Sequence, residues 1–273
     1  MRIIDRLKQF DKVEIVGYFV ILFCAFLIYP SFFSMGVFPL GAENYFWSSL
    51  DPSWSLALSY ANENNFVWGK DIAFTYGPLG YLSTRIGWGI NRNILLLFDV
   101  FYFLNFIYIF YYTFKNAVNK IVALLIIIAV TLTIPYFLGG GIALILFMFL
   151  IFWLKLSIDK PKIIYFSIQT IFIVLLFFIK FNTGLISFGL FYIGLTYLFV
   201  FKKYQRERLV IIALIPIILI LSLCYPLNVS LFEYIISGFY IVTGYNEIMH
   251  IDDPAHESYL ITAVIFILLS VTF

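Results

Sequence analysis

The sequence predicts an all-α, polytopic membrane protein: a helical bundle of about eight transmembrane helices with a long first outer loop that carries interfacial helices. Of its 273 residues, 63% are hydrophobic and only 12% are charged, whereas an ordinary globular domain has about 45–50% and about 25%. Apolar runs of membrane-spanning length recur along the chain, and the basic residues alternate sides in step with them. The net charge of +2 gives no indication of nucleic-acid binding.

Eight apolar runs are long enough, or nearly long enough, to cross a bilayer. They are residues 13–34, 93–114, 119–137, 142–157, 163–180, 184–201, 209–226 and 260–273. The first is too long for the apolar core of a signal peptide and lacks a small-residue cleavage pattern, so we expect a retained signal anchor. The eighth is cut off by the end of the chain. We therefore expect 1–273 to be a single transmembrane domain, the N-terminal portion of a longer protein.

The basic residues predict the orientation of the bundle. With the N-terminus in the cytoplasm and a reversal at each span, thirteen of the 17 Lys and Arg residues fall on the cytoplasmic side, as the positive-inside rule requires. These are Arg2, Arg6, Lys8, Lys12, Lys115, Lys120, Lys155, Lys160, Lys162, Lys202, Lys203, Arg206 and Arg208. The pattern predicts an integral protein of the cell envelope, in a bacterial inner (plasma) membrane, with its active face outside.

Two predicted outer loops, 35–92 and 227–259, are long enough to hold a functional site. In the first, the segment LDPSWSLALSYANENN has apolar residues at helical spacing, which predicts an amphipathic helix at the membrane interface. Asp51 suits the cap of that helix and Pro52 its first position. The turn-rich segment WGKDIAFTYGPLGYL follows. A long loop with many aromatic and few charged residues is typical of a functional site.

These elements resemble the first outer loop of GT-C membrane glycosyltransferases, most of all the family 39 type and related polyprenyl-phosphate-sugar transferases. A second resemblance is IKFNTGL, Ile179 to Leu185, which is similar to the family's lysine- and glycine-containing element at a membrane boundary. The matching segments lie within the first 200 residues. The chain departs from the family where Asp51-Pro52 replaces a common Asp-Glu pair, and it has fewer spans, as expected of a C-terminal truncation.

The resemblance implies transfer of a sugar from a polyprenyl-phosphate donor to a lipid, glycan or protein acceptor at the outer face. Such transfer needs a carboxylate that accepts the proton of the attacking hydroxyl and cations that stabilise the departing phosphate. Asp51 is the first candidate for the catalytic carboxylate and Asp71 the second; their structural alternatives are a helix cap and a turn. Lys180 is the first candidate for the phosphate contact, with Arg85 and Arg92 as alternatives, and interfacial anchoring is the competing role of all three.

Several further side chains are candidates for supporting roles. Trp54 and Tyr76 are candidates for stacking on a sugar, although aromatic residues also anchor proteins at the interface. Asp99 lies near the outer end of the second span, where a carboxylate needs a partner; we expect Lys180 or Arg92. No cofactor is certain, and a divalent metal is a weak candidate because its ligands follow no known spacing. Those ligands would be His250, Asp252, Asp253 and His256.

Other functions are open on the sequence alone. A polytopic transporter, or a flippase for lipid-linked saccharides, would need polar groups near the bilayer midplane, where the chain has little beyond Asn105 and Gln169. An enzyme similar to O-antigen ligases or polymerases would carry its large loop late in the chain, whereas here it lies between the first two spans. The concentration of polar residues in the first outer loop favours chemistry at the membrane surface, with the bilayer and a polyprenyl-phosphate-linked sugar as partners.

Overall fold

The computed structural model describes residues 12–29, 50–85, 91–133, 141–201 and 204–248. Within these ranges the chain is mostly helical and contains no strand, only isolated bridges. The helices are α1 (Lys12–Leu27), α2 (Leu50–Glu63), α3 (Tyr81–Thr84), α4 (Arg92–Asn116), α5 (Lys120–Thr133), α6 (Ile142–Asp159), α7 (Ile163–Ile179), α8 (Phe181–Val200), α9 (Arg206–Cys224) and α10 (Leu231–Ile248).

The helices confirm an all-α membrane bundle, while the predicted count of about eight spans is not confirmed. Among the described residues, α4, α6, α8 and α9 are long and apolar enough to cross a membrane. The apolar stretches of α1, α5, α7 and α10 are shorter. Each of the first seven predicted spans overlaps one of these helices, and the eighth, 260–273, lies outside the described residues. An integral membrane protein follows from these helices.

The helix surfaces that face away from the bundle are apolar. Phe19 of α1 is 71% exposed and Leu97 of α4 is 70% exposed, and α9 leaves a row of Ile and Leu side chains uncovered. A soluble protein rarely exposes apolar area on this scale. In a bilayer the same surface contacts lipid tails, and the helices satisfy their own backbone hydrogen bonds.

The core between α4, α6 and α7 is built largely from aromatic rings. The ring centroid of Phe149 in α6 lies 4.6 Å from Phe106, 5.5 Å from Tyr102 and 5.8 Å from Phe172. Edge-to-face and tilted arrangements at such distances add attraction beyond simple burial. Aromatic packing therefore positions the three helices against one another.

The two polar residues that the sequence places near mid-membrane are bonded within this core. The indole nitrogen of Trp153 donates to Asn105 Oδ1 at 2.8 Å, and Gln169 Nε2 donates to the carbonyl oxygen of Trp153 at 2.8 Å. Polar side chains commonly join helices in this way inside membranes. Asn105 and Gln169 thus hold α4, α6 and α7 together.

A tight hairpin joins α7 to α8, with Lys180 as the single residue between them. Lys180 is extended, with φ −149° and ψ 110°. Gly184 allows the two helices to approach, since a Cβ there would lie 2.4 Å from Phe177 Cα. The hairpin presents Lys180 at the end of the bundle where the first loop also lies.

Candidate functional site

The two sequence elements that carry the family resemblance meet in the structure. Residues 75–79, from the first loop, run across residues 178–181 at the tip of the α7–α8 hairpin; we call this contact the loop–hairpin junction. Three backbone hydrogen bonds of 2.9–3.1 Å form it: Phe181 N to Thr75 O, Gly77 N to Ile179 O and Leu79 N to Phe178 O. More than 100 residues separate the two elements along the chain.

The junction forms because the end of a helix leaves carbonyl groups without intrahelical partners. At the end of α7 the loop supplies donors for Phe178 and Ile179, and the hydroxyl of Tyr234, from α10, donates to Phe177 O at 3.0 Å. Gly77 is required for this approach, since a Cβ would lie 2.4 Å from the Tyr234 hydroxyl. The loop is thereby fixed to the bundle by groups that the helix itself cannot satisfy.

Lys180 projects from the junction beside an aromatic cluster. Its Nζ lies 4.8 Å from the ring centroid of Tyr76 and 3.5 Å from the Tyr76 hydroxyl oxygen. The first distance is that of a cation–π contact, and the second is at the outer limit for a hydrogen bond. Burial lowers the pKa of the Lys180 ammonium from its usual value. No carboxylate of the described ranges forms an ion pair with it.

The cluster consists of Trp54, Phe74 and Tyr76. The rings of Trp54 and Tyr76 stack at 4.7 Å between centroids and 25° between planes, and Phe74 lies 5.6 Å from Trp54. Tyr76 is only 7% exposed, whereas Trp54 is partly exposed. The two residues predicted to stack on a sugar therefore lie together beside Lys180, and Trp54 is the one that reaches the surface.

The two candidate carboxylates occupy different places. Asp51 is the second residue of α2, three positions before Trp54, so its backbone lies one helical turn from the cluster. Asp71 is exposed, and its Oδ2 accepts a hydrogen bond of 2.8 Å from Val67 N. Asp71 thus closes a turn, which is the structural alternative predicted for it.

The two candidate arginines lie apart from the cluster. Arg85 is 2% exposed, and its two terminal nitrogens donate to the carboxylate oxygens of Asp99 at 2.5 and 2.8 Å. Asp99 is paired, as expected, but the predicted partners Lys180 and Arg92 were wrong. Arg92 is the exposed first residue of α4. Among the predicted cations, Lys180 is the one beside the aromatic cluster.

A second segment of the chain joins the first loop from the other side. Trp68 N donates to Asn228 O at 2.8 Å, and Ser230 N donates to Trp68 O at 3.0 Å. Gly69, with φ +96°, makes the close approach feasible, since a Cβ there would lie 2.4 Å from Tyr234 N. Both segments were predicted to lie outside, but neither this contact nor helix α10 was predicted, because nothing local in the sequence indicates a pairing over this distance.

No group of three or more potential metal ligands occurs in the described part of the chain. The weak metal candidates lie outside the described residues: His250, Asp252, Asp253 and His256.

No family model, no curated protein and no solved structure matches this chain. The resemblance to GT-C transferases rests on the residues quoted above. The function is therefore inferred from the chemistry of the loop–hairpin junction and the aromatic cluster.

Proposed function

We propose that this protein is a membrane glycosyltransferase that moves a sugar from a polyprenyl-phosphate donor to an acceptor at the outer face of the membrane. One observation carries the proposal: the loop–hairpin junction brings a half-buried lysine to the aromatic cluster, using two sequence elements far apart in the chain. A cation beside a partly exposed aromatic ring suits a sugar phosphate, which combines a charged group with the apolar face of a ring.

Lys180 would bind the donor phosphate. A partly buried ammonium without a carboxylate partner is poorly solvated, and an anionic ligand would compensate for that loss. The ammonium would also stabilise the charge that develops on the phosphate as the sugar departs.

The aromatic cluster and α2 would supply the rest of the site. Trp54 would contact the donor sugar, with Tyr76 behind it to hold the indole in place. Asp51, one turn earlier in α2, would accept the proton of the acceptor hydroxyl as that oxygen attacks the anomeric carbon. Arg85 and Asp71 are assigned to structure, because their polar groups bind Asp99 and Val67.

Donor binding tests the phosphate contact directly. The purified chain in nanodiscs is cross-linked to a photoreactive polyprenyl-phosphate sugar, and Lys180→Met is compared with Lys70→Met. Lys70 is an exposed lysine near the same loop, 3.8 Å from Glu233. We expect Lys180→Met to weaken donor binding at least about tenfold, or about 1.4 kcal/mol, and Lys70→Met to leave it unchanged. Equal binding by wild type and Lys180→Met would overturn the phosphate assignment.

Sugar transfer tests the catalytic assignment. With a labelled lipid donor, Asp51→Asn is expected to bind the donor as wild type does but to lose transfer by about 100-fold or more, the usual contribution of a general base. Transfer at the wild-type rate by Asp51→Asn would exclude Asp51 as the base. Donor movement across sealed vesicles without any transfer would replace the proposal with a flippase.

A further inference from the structure

A polar cavity of about 340 Å³ lies beside the loop–hairpin junction, between the first loop and the segment that joins α9 to α10. Pro78 and Leu79 form the wall nearest to the junction. The side chains that give the cavity its chemistry are Asn62, Asn65, Trp68, Tyr81, Asn91 and Asn228. The volume falls at the lower end of the range of small-molecule sites, about 300–1,000 Å³.

Three of the four asparagines, Asn62, Asn65 and Asn228, have hydrogen-bonding capacity that the described residues do not use, whereas Asn91 Oδ1 accepts from Asn93 N and Ile94 N at the start of α4. Asn62 Nδ2 donates to Pro78 O at 3.0 Å and Asn228 Nδ2 donates to Asn65 O at 3.2 Å, which fixes both side chains. Their Oδ1 atoms form no hydrogen bond with the described residues, nor does the side-chain amide of Asn65. A carboxamide offers both donors and acceptors. The wall is therefore rigid and able to pair with a ligand that carries both kinds of group.

Tyr81 adds a hydroxyl to the lining. Its side chain is mostly buried, at 5% exposed, but the hydroxyl oxygen is not among the enclosed, unpaired atoms and opens into the cavity. The hydroxyl has no hydrogen-bond partner among the described residues, so it can donate to a ligand there. Burial also raises the pKa of Tyr81 to about 12, so the hydroxyl keeps its proton at neutral pH and can donate.

The lining selects the class of ligand. Among the described residues, no charged side chain lines the cavity, which disfavours phosphates and metal ions because they require charged partners or carboxylate ligands. Exposed carboxamides disfavour a lipid tail. A neutral sugar fits, because its hydroxyls both donate and accept while its C–H faces contact an aromatic ring such as Phe66, a partly exposed residue of the lining. We infer that this cavity binds an uncharged carbohydrate, at a site separate from Lys180.

The inference is independent of the proposed transfer. Where both hold, the cavity is positioned to receive the neutral glycan part of an acceptor, because Pro78 and Leu79 belong both to its wall and to the junction. Lys180→Met should therefore leave carbohydrate binding unchanged even though it weakens donor binding. The two assignments can thus fail separately.

Saturation-transfer NMR on the protein in nanodiscs tests the inference. The neutral probes are methyl glucoside, methyl mannoside, N-acetylglucosamine and maltose; the comparison ligands are glucuronate, inorganic phosphate and diglycine amide. Tyr81→Phe removes only the hydroxyl, and Asn65→Gly removes only the carboxamide while retaining the left-handed backbone, φ 54°. The matched controls are Tyr225→Phe and Asn64→Ala, both exposed and outside the cavity.

We expect at least one neutral sugar to bind saturably to the wild type, and Tyr81→Phe and Asn65→Gly each to weaken it about threefold or more, as the loss of one hydrogen bond predicts. Both controls should bind as wild type does. The inference is overturned if no neutral sugar binds, if both cavity variants bind it unchanged, or if phosphate or the peptide binds in its place.

Discussion

At the scale of single residues, Lys180 combines an energetic cost with a candidate function. Burial lowers its pKa, so the folded state disfavours the charged form relative to the unfolded chain. A lysine whose pKa is lower in the folded protein than in the unfolded chain lowers the stability of the fold as pH falls from the unfolded pKa to the folded pKa. At neutral pH this cost is fully present. A residue kept in spite of such a cost is more readily explained by a ligand than by folding.

Replacing Lys180 should therefore separate stability from function. Lys180→Met keeps an apolar stem beside Tyr76 and removes the charge, so we expect a thermal unfolding midpoint at neutral pH equal to or above that of the wild type. The difference should shrink as pH rises and the wild-type lysine loses its proton. A clear fall in the midpoint would mean that Lys180 is needed for folding. Weaker donor binding by Lys180→Met would then not support a phosphate contact.

The buried ion pair of Arg85 and Asp99 should behave in the opposite way. Removing one partner leaves a charge without compensation, so we expect Arg85→Ala to destabilise the protein by about 3–5 kcal/mol, measured by reversible unfolding in detergent. Lys70→Ala, which breaks the exposed pair with Glu233, should cost about 0–1 kcal/mol. The double variant Arg85→Met/Asp99→Leu removes both charges, so it should recover much of the lost stability. If it is as unstable as Arg85→Ala, the loss does not come from leaving the Asp99 charge buried without a partner.

The candidate roles of single residues could be predicted from the sequence where a short motif indicated them. Lys180, Trp54 and Tyr76 were selected by their motifs, and the structure brings the three together. The pairing of Asp99 was expected because a lone carboxylate in a span is costly, but its partner was not. Arg85 reaches it from the end of α3 with φ 62°, a backbone conformation that nothing in the sequence indicates.

At the scale of elements, the α7–α8 hairpin depends on one glycine. A Cβ on Gly184 would lie 2.4 Å from Phe177 Cα, whereas a Cβ on Gly189, in the same helix, meets nothing within 4 Å. We expect Gly184→Ala to lower the unfolding midpoint and to weaken donor binding, because the hairpin tip that carries Lys180 must shift. Gly189→Ala should stabilise the helix slightly, by about 0.5–1 kcal/mol. Similar effects of the two substitutions would show that the close approach does not matter.

Helices were easy to predict where apolar runs were continuous and hard to predict where they were not. The first seven predicted spans each overlap a helix, because their length and composition leave few alternatives. In contrast, α10 was missed because Gly, Ser and charged residues interrupt its pattern, and the four-residue α3 is too short to produce one. Most of the cavity wall comes from the loop after α2 and from the connection between α9 and α10, which pair over a long distance in the chain, so the sequence could not predict the cavity.

At the scale of the whole molecule, the loop–hairpin junction and the cavity lie at one end of the bundle. The helices carry the chain between this end and the opposite one, where the α4–α5, α6–α7 and α8–α9 connections lie. Those connections and the helix ends next to them hold nine of the 17 Lys and Arg residues, including Lys115, Lys120 and Lys160. From the positive-inside rule we expect the junction to lie outside, where the proposed lipid-linked sugar and an extracytoplasmic acceptor would meet.

Cysteine mapping tests this orientation. In a background with Cys24→Ala and Cys224→Ala, we compare Asn64→Cys, in the first loop, with Val118→Cys, in the α4–α5 connection; both positions are exposed. A maleimide that cannot cross membranes should label Asn64→Cys on intact cells and Val118→Cys only after permeabilisation. The reverse pattern would put the lysine, the aromatic cluster and the cavity in the cytoplasm. Any sugar donor would then have to be a cytoplasmic one, so the orientation decides which class of donor Lys180 can bind.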